Sequence, residues 1–125
     1  MDKRRQILEK IIREAGGMLA KNFGKRQSVE YKGDVHLVTA MDHASEDLIL
    51  QLLKENFPDD DILTEEREQK PRQSENLWIV DPLDATNNYA HGVPIFCVSI
   101  ALEQRDQIKL GAIFDPLRDE LYLAE

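Results

Sequence analysis

The chain has 125 residues, of which 42% are hydrophobic and 32% are charged, with six Gly, five Pro and a single Cys. This length suits about one domain, and the ordinary Gly, Pro and Cys content excludes collagen-like, low-complexity and disulfide-scaffold classes. Sixteen basic and 24 acidic residues give a net charge of −8, which opposes binding to nucleic acid or to an anionic membrane.

Neither a membrane span nor a secretory signal is predicted. The longest apolar stretch, residues 92–102, is well short of the roughly 20 residues that cross a bilayer. The first residues lead into an amphipathic segment and not into an apolar stretch followed by small residues. With a single Cys, the expected compartment is the reducing cytoplasm.

Helical periodicity dominates the start of the chain. Apolar residues recur three and four positions apart over residues 7–19, which predicts one long helix that ends near Gly24. The pair Gly16 and Gly17 lies inside this helix and costs about 1 kcal/mol per Gly in helix propensity, so we expect a kink or a close packing contact there. Residues 25–36 have no such pattern and are predicted to form a loop.

A second helix is predicted after a short apolar segment at residues 37–39. Its start carries Thr39 and Asp42 at the spacing of a capping box, in which each side chain bonds the other residue's backbone amide. Leucine and isoleucine within residues 48–53 mark its core side, and the Phe-Pro pair at 57–58 ends it.

The rest of the chain has the pattern of strands, separated by a charged loop over residues 67–76. The segment 103–106 between two of these strands is typical of a hairpin turn. Together with the two helices, the strands predict an α+β fold with the helices packed on a mostly antiparallel sheet. The apolar runs of strand length are 62–64, 77–80, 96–102, 108–114 and 121–124.

Several conspicuous residues are assigned structural roles. Trp78 alternates with the other residues of its strand and is predicted to lie in the core. Cys97 has no basic neighbour and is interpreted as a buried structural thiol. The acidic run 59–61 is interpreted as a solvated turn, and the three His lack the spacing of a zinc site.

The segment 81–86, DPLDAT, is the strongest local signal for chemistry. Asp81 and Asp84 follow an apolar strand, and the Pro between them holds the residue before it extended, so both carboxylates can face one point. Carboxylates with a backbone carbonyl such as that of Leu83 suit Mg²⁺, which prefers oxygen ligands. The same residue types are also typical of an ordinary turn or helix cap, so both interpretations stay open on spacing alone.

Two further carboxylates have a functional and an ordinary interpretation. Glu65 follows the predicted strand 62–64 and is suited to be another metal ligand, but it also fits a solvated acidic loop. For Asp42 the ordinary interpretation is stronger still, because its capping-box spacing from Thr39 would be satisfied by backbone amides alone.

Five separated motifs can be considered together: LVTAMD at 37–42, TEE at 64–66, WIVDPLDATNNYAHG at 78–92, VSIAL at 98–102 and DPLRDEL at 115–121. In order and spacing they resemble the inositol monophosphatase family, over nearly the whole chain. The resemblance implies the layered α/β sandwich of the inositol monophosphatase and fructose-1,6-bisphosphatase type. It also implies Mg²⁺-dependent hydrolysis of a small phosphate monoester, with inositol monophosphate first and fructose 1,6-bisphosphate, a 3′-phosphoadenosine nucleotide or histidinol phosphate as alternatives.

By position, the resemblance implies a metal-ligand set of Glu65, Asp81, the carbonyl of Leu83 and Asp84, with Asp81 bridging two ions. Cations held in this way lower the pKa of a bound water and offset the charge of the phosphate. Because they invert the local field, the net negative charge no longer argues against an anionic substrate.

The resemblance also implies roles in catalysis and substrate binding. Asp42 and Thr86 correspond to the pair that orients and activates the attacking water, a general-base contribution of about 10²-fold or more. The backbone amides of Ala85 and Thr86 would hold the phosphate. The implied substrate-binding set is Glu65, Leu83, Asp84, Ala85 and Thr86.

The chain departs from the family pattern inside the signature. Ala85 stands where the family has Gly; if this position needs a positive φ, the methyl group costs about 1 kcal/mol or more and crowds the phosphate. Asn87 replaces a hydroxyl residue, and His36 stands where an Asp is usual.

The family's further C-terminal region, with one more metal-binding Asp, has no counterpart here. We therefore interpret residues 1–125 as the N-terminal part of such a domain, truncated before its C-terminal part. By analogy with the family, a homodimer that acts on a small phosphorylated substrate is expected, with no nucleic-acid or membrane partner. The alternative is a catalytically impaired remnant that binds metal or associates through its last strand.

Overall fold

The computed structural model describes residues 1–25, 29–32, 36–65, 67 and 70–125, with 29–32 and 36–38 described by their backbone alone. Two long helices, α1 and α2, a short helix, α3, and seven strands, β1 to β7, are found in this part of the chain. None of the helices among the described residues is long and apolar enough to cross a membrane. In chain order the elements are α1 (Asp2–Asn22), β1 (Val29–Lys32), β2 (His36–Thr39), α2 (Ala40–Asn56), β3 (Asp61–Thr64), β4 (Asn76–Asp84), α3 (Thr86–Ala90), β5 (Cys97–Gln104), β6 (Gln107–Asp115) and β7 (Glu120–Ala124).

The main sheet has the strand order β3-β4-β5-β6-β7. Strands β3 and β4 run parallel, whereas the other neighbouring pairs run antiparallel. The predicted α+β class, with two helices on a mostly antiparallel sheet, is therefore confirmed.

The prediction of a loop over residues 25–36 is wrong where the backbone is described. Residues 29–32 form β1, which pairs with β2 in a separate antiparallel hairpin. The segment 37–39, predicted only as an entry to α2, belongs to β2. Residues 26–28 and 33–35 of the predicted loop lie outside the described residues.

Close packing explains the glycine pair in α1. A Cβ added at Gly16 would lie 2.3 Å from a ring carbon of Phe114 on β6, so only glycine lets the helix approach the sheet this closely. Gly17 has open space where a Cβ would stand. The predicted packing contact is thus confirmed at the first glycine of the pair.

Both long helices cover the same face of the sheet. Alternate residues of β4 to β6 point towards them and are buried. Trp78 is fully buried among them, as predicted. The buried side chains on the strands of this face are Trp78, Val80, Val98, Ile100, Leu102, Leu110, Ala112 and Phe114.

The acidic turn before β3 is not solvated at Asp60, which corrects the prediction for this run. The Asp60 side chain is 5% exposed and forms an ion pair with Arg4. Its carboxylate also accepts hydrogen bonds from Trp78 Nε1 at 2.9 Å and Asn76 Nδ2 at 3.1 Å. The Arg4 guanidinium lies 4.4 Å from the ring centroid of Phe57. Asp60 therefore joins α1, the end of α2 and the start of β4.

Candidate functional site

Asp42 is fixed at the start of α2 by the predicted capping box. The Thr39 hydroxyl accepts hydrogen bonds from the amides of Met41 and Asp42, at 3.2 and 3.3 Å. In return, Asp42 Oδ2 accepts from the Thr39 amide at 2.9 Å and from the Thr39 hydroxyl at 2.7 Å. The residue is only 4% exposed, so its carboxylate is held in one orientation.

The second carboxylate oxygen of Asp42 reaches the other predicted catalytic residue. Oδ1 accepts a hydrogen bond from the Thr86 hydroxyl at 2.8 Å. The Thr86 oxygen also lies 3.2 Å from the carbonyl oxygen of Leu83. One oxygen of Asp42 thus serves the helix cap and the other contacts Thr86, so the cap and the Thr86 contact are compatible.

Strand β4 continues past residue 80, where the sequence pattern predicted its end. Asp81 pairs with Ser99 and Asp84 with Cys97 on β5, and the register shifts between the two pairs. The buried Ser45 hydroxyl on α2 donates a 2.7 Å hydrogen bond to the Pro82 carbonyl inside this irregularity. The bulge brings Asp81 and Asp84 to the end of the strand beside the start of α2.

Ala85 has the left-handed conformation in which its methyl group was expected to be costly. Its φ is 71° and its ψ is 50°, so the condition under which the methyl group is costly is met. For a residue with a side chain this conformation costs roughly 1–2 kcal/mol. It turns the chain from β4 into α3, and Thr86 is the first residue of that helix.

Asp81 lies in a strongly negative environment. Burial raises the pKa of its carboxyl group to about 6, and the negative charges of Asp84 and Glu65 add to this rise. Asp42 contributes in the same direction, while a backbone hydrogen bond from Leu83 opposes it. Four carboxylates therefore act electrostatically on one another at this end of the sheet, and a bound cation would relieve their repulsion.

The predicted metal ligands share this region but do not form a closed coordination sphere. Among the described residues, no three side chains of the His, Cys, Asp and Glu types are close enough together to hold a metal ion. Glu65 and Asp84 are exposed. The donor set fits Mg²⁺ in chemistry, because it consists of oxygen donors with excess negative charge.

Cys97 lies beside these carboxylates. Its Sγ is 3.8 Å from Asp84 Oδ2, and the side chain is half-buried and free of any disulfide. Burial raises the pKa of the thiol to about 11, with the charges of Asp84 and Asp81 adding to the rise. The thiolate is therefore disfavoured, which supports the interpretation of Cys97 as a structural residue.

Glu46 is a buried carboxylate that the sequence reasoning did not single out. Its side chain is 3% exposed, and Oε1 accepts a 2.6 Å hydrogen bond from Arg67 Nε. Oε2 has no hydrogen-bond partner in the described part of the chain. Arg67 also reaches Asp47 at 2.6 Å and lies two residues after Glu65. The one available signal was the four-residue spacing from Asp42, which places both carboxylates on one face of α2.

Comparisons with known proteins agree on a family. The model of the inositol monophosphatase family matches residues 1–125. The inositol-1-monophosphatase of Mesorhizobium japonicum is 41% identical over 95% of this chain and 46% of its own length. The protein named Nus factor SuhB in Haemophilus influenzae is 39% identical over 94% of this chain and 45% of its own length.

Solved structures give the same result for the fold. The IMPase of Thermotoga maritima superposes with a TM-score of 0.91 at 33% identity, covering 100% of this chain and 48% of that one. The extragenic suppressor protein suhB of Bartonella henselae has a TM-score of 0.91 at 36% identity, over 96% of this chain and 48% of its own. The chain thus spans about half the length of the relatives that it matches.

Proposed function

Since the chain belongs to the inositol monophosphatase family, we propose that it provides the metal- and phosphate-binding part of a Mg²⁺-dependent phosphatase of small phosphate monoesters. The observation that carries this proposal is the 2.8 Å hydrogen bond from the Thr86 hydroxyl to Asp42 Oδ1, which joins the two predicted catalytic residues beside the half-buried Asp81. Inositol monophosphate is the first candidate substrate, and fructose 1,6-bisphosphate, a 3′-phosphoadenosine nucleotide and histidinol phosphate are the alternatives.

The carboxylate set supports binding of a hard cation. We propose that Glu65, Asp81, Asp84 and the carbonyl oxygen of Leu83 hold Mg²⁺. When bound, the ion would lower the pKa of a coordinated water and offset the charge of the phosphate. The hydrogen bond from Ser45 holds the bulge in β4, and this bulge places Asp81 and Asp84 near each other although only two residues separate them.

Asp42 and Thr86 are proposed to accept the proton of the attacking water. The Thr86 hydroxyl donates its proton to Asp42 Oδ1, so a lone pair of the Thr86 oxygen is left to accept a proton from water. Because the capping box fixes Asp42, the direction of this hydrogen bond is set before any substrate arrives. Such a positioned acceptor contributes about 10²-fold or more to the rate.

The turn at Ala85 is proposed to hold the phosphate. The left-handed residue reverses the chain so that the amides of Ala85 and Thr86 follow directly after the carboxylates of β4. Successive amides in such a turn form a concave site for an anion. The Ala85 methyl group lies in this same turn and is expected to weaken the site relative to glycine.

The test is phosphate release from the four candidate substrates with and without Mg²⁺. We expect Mg²⁺-dependent turnover that falls at least about 100-fold in Asp84→Asn. Asp59→Asn is the matched control, because Asp59 is an exposed aspartate outside the site. Full Mg²⁺-dependent activity in Asp84→Asn would contradict the proposed role of Asp84.

A non-catalytic binding module is the second candidate function. One observation favours it: a relative that is 39% identical carries the name Nus factor SuhB. Under this alternative, a folded chain would bind Mg²⁺ in calorimetry and release no phosphate from any of the four substrates. The homodimer and the cytoplasmic location predicted from the sequence likewise stay proposals.

A further inference from the structure

A cavity lies at the outer edge of β3, and none of the four carboxylates of the candidate site lines it. β3 is the first strand of the main sheet, so one side of it has no neighbouring strand among those described. Leu50 and Lys54 of α2 border the cavity, and the segment after β3 contributes Arg67, Lys70 and Arg72. Its volume of about 280 Å³ is near the lower end of the range for small-molecule pockets. We call it the β3-edge cavity.

The β3-edge cavity is lined by positive charge in a chain whose net charge is −8. Among the described residues, four basic side chains line it. Arg67 and Arg72 each form ion pairs with carboxylates, which hold them in place. Lys54 and Lys70 have no ion pair or hydrogen bond with any residue that the structure describes. Because a cleft lined by one sign of charge attracts the opposite charge, the two lysines favour an anion.

Two aspartates also line the β3-edge cavity, but donors of the chain itself already bind them. Asp60 forms the ion pair with Arg4. Asp61 accepts hydrogen bonds from the backbone amides of Gln73 and Ser74, at 2.9 and 2.8 Å. Both carboxylates thus have partners within the chain, whereas the two lysines remain available to a ligand.

A buried hydroxyl at the β3-edge cavity lacks a partner. Thr64 lines the cavity and is only 6% exposed. Its Oγ1 forms no hydrogen bond within the described part of the chain. A buried hydroxyl without a partner costs free energy. An oxygen atom of a ligand in the cavity would provide the acceptor that this hydroxyl lacks, so Thr64 points to a ligand independently of the lysines.

The rest of the lining is apolar and indicates the other part of the ligand. An apolar lining with a few polar groups is typical of sites for small organic molecules. A ligand with an anionic group and a small apolar body would therefore contact both kinds of lining. The apolar residues are Leu50, Ile62, Leu63 and Leu77.

We infer that the β3-edge cavity binds a small organic phosphate, as a site separate from the candidate metal site. A phosphate monoester carries about two negative charges at neutral pH, which match the charges of Lys54 and Lys70. Lysine binds phosphate as a point charge and needs no metal ion to do so. The inference does not rest on the proposed function, because the cavity contains none of the residues assigned there to metal binding, substrate binding or catalysis.

The experiment is isothermal calorimetry of the whole chain with phenyl phosphate in metal-free buffer. Without Mg²⁺ the carboxylates of the candidate metal site repel an anion, so binding there does not contribute. We expect phenyl phosphate to bind more tightly than inorganic phosphate, because its ring contacts the apolar lining. Phenol, which has the ring without the charge, should not bind measurably. Added salt should weaken the binding of phenyl phosphate.

Single charge removals test the two lysines. Lys54→Gln and Lys70→Gln should each weaken the binding of phenyl phosphate about fivefold, and the double variant roughly 20-fold. Both side chains are exposed, so the variants are expected to fold like wild type. Lys10→Gln is the matched control, since Lys10 is an exposed lysine on α1 that does not line the cavity. It should change the affinity less than about twofold.

A second measurement uses the wild-type chain. Acetylation by an N-hydroxysuccinimide ester, followed by mass spectrometry, reports the accessibility of each lysine. Phenyl phosphate should slow the acetylation of Lys54 and Lys70 and leave that of Lys10 unchanged. The inference is overturned if phenyl phosphate does not bind without Mg²⁺, or if it protects all three lysines alike. It is also overturned if the double variant binds as tightly as wild type, or if Lys10→Gln weakens binding as much as the cavity variants do.

Discussion

Asp60 and Asp81 are carboxylates near opposite ends of β4, and they differ in what surrounds them. Asp60 is bonded by Arg4, Asn76 and Trp78, so the chain itself supplies a positive charge and two N–H donors. Asp81 faces other carboxylates, and burial and their charges raise its pKa to about 6. The first carboxylate is satisfied within the chain, whereas the negative charge of the second is disfavoured by its surroundings, as expected for the proposed cation site. The difference separates a structural acidic residue from a candidate functional one.

This comparison predicts that the same change, Asp to Asn, has opposite effects at the two positions. At Asp60 it removes a charge that three donors depend on. At Asp81 it removes a charge that the surroundings disfavour.

Asp60→Asn should destabilise the protein by about 3 kcal/mol. The variant leaves the Arg4 guanidinium without its buried partner, and breaking a buried pair by changing one member costs roughly 3–5 kcal/mol. Urea unfolding followed by circular dichroism measures the effect. Asp59→Asn, in the same acidic turn but exposed, should lie within about 0.5 kcal/mol of wild type. Equal stability of the two variants would mean that the contacts of Asp60 with Arg4, Asn76 and Trp78 do not stabilise the fold.

Arg67→Met should destabilise the protein by about 2 kcal/mol, because it leaves the buried Glu46 carboxylate unpaired. The expected loss of stability is smaller than that for Asp60→Asn, because the Arg67 side chain is about half exposed and solvent weakens its ion pair. Adding Glu46→Gln should restore at least half of the loss, since the unpaired charge is then gone. The double-mutant cycle in urea measures this coupling. If Glu46→Gln adds a further loss, Glu46 does not depend on Arg67 for its charge.

Asp81→Asn should stabilise the metal-free protein by about 1 kcal/mol at neutral pH. The gain comes from removing a desolvated charge near Asp84 and Glu65, and it is kept small because the site is partly open to solvent. Thermal unfolding in a chelator measures it. Adding Mg²⁺ should raise the melting temperature of wild type and leave that of the variant nearly unchanged. If Asp81→Asn is instead less stable than wild type in the chelator, then the Asp81 carboxylate stabilises the fold, as that of Asp60 does.

The sequence predicted those parts of the fold that local patterns encode. The 3.6-residue periodicity gave α1 and α2, apolar runs gave the central strands, and Thr39 with Asp42 gave the cap. The hairpin of β1 and β2 was missed, because four residues per strand carry too little alternation to identify. The continuation of β4 through Pro82 was missed as well, because a bulge depends on contacts with β5 and α2.

The candidate site was predictable to the level of residue types and order. The family resemblance grouped Asp42, Thr86 and the carboxylates, and the structure places Thr86 against Asp42. The partners of Asp60 could not be predicted from local patterns, because Arg4 is 56 positions away along the chain. The same holds for Glu46 and Arg67, 21 positions apart. Local patterns do not encode which distant donor reaches a carboxylate, and that partner decides between a structural and a functional role.

Ala85→Gly should give the smallest change, a stabilisation of about 0.5 kcal/mol. Glycine relieves the left-handed strain, which stabilises the folded state by roughly 1–2 kcal/mol. It also gives the unfolded chain more conformational freedom, which lowers stability by about 0.4–1 kcal/mol. Urea unfolding checks the sign.

The same variant tests the proposed phosphate turn, because the methyl group is removed from the segment whose amides would face the anion. Isothermal calorimetry with inorganic phosphate and Mg²⁺ should show tighter binding to Ala85→Gly than to wild type. Gly92, which also has a positive φ of 75° and lies beyond α3, provides the matched control. Gly92→Ala introduces the same strain outside the turn and should lower stability without changing phosphate affinity. If Ala85→Gly raises stability but leaves the phosphate affinity unchanged, then the left-handed conformation serves only to turn the chain, and the anion binds elsewhere.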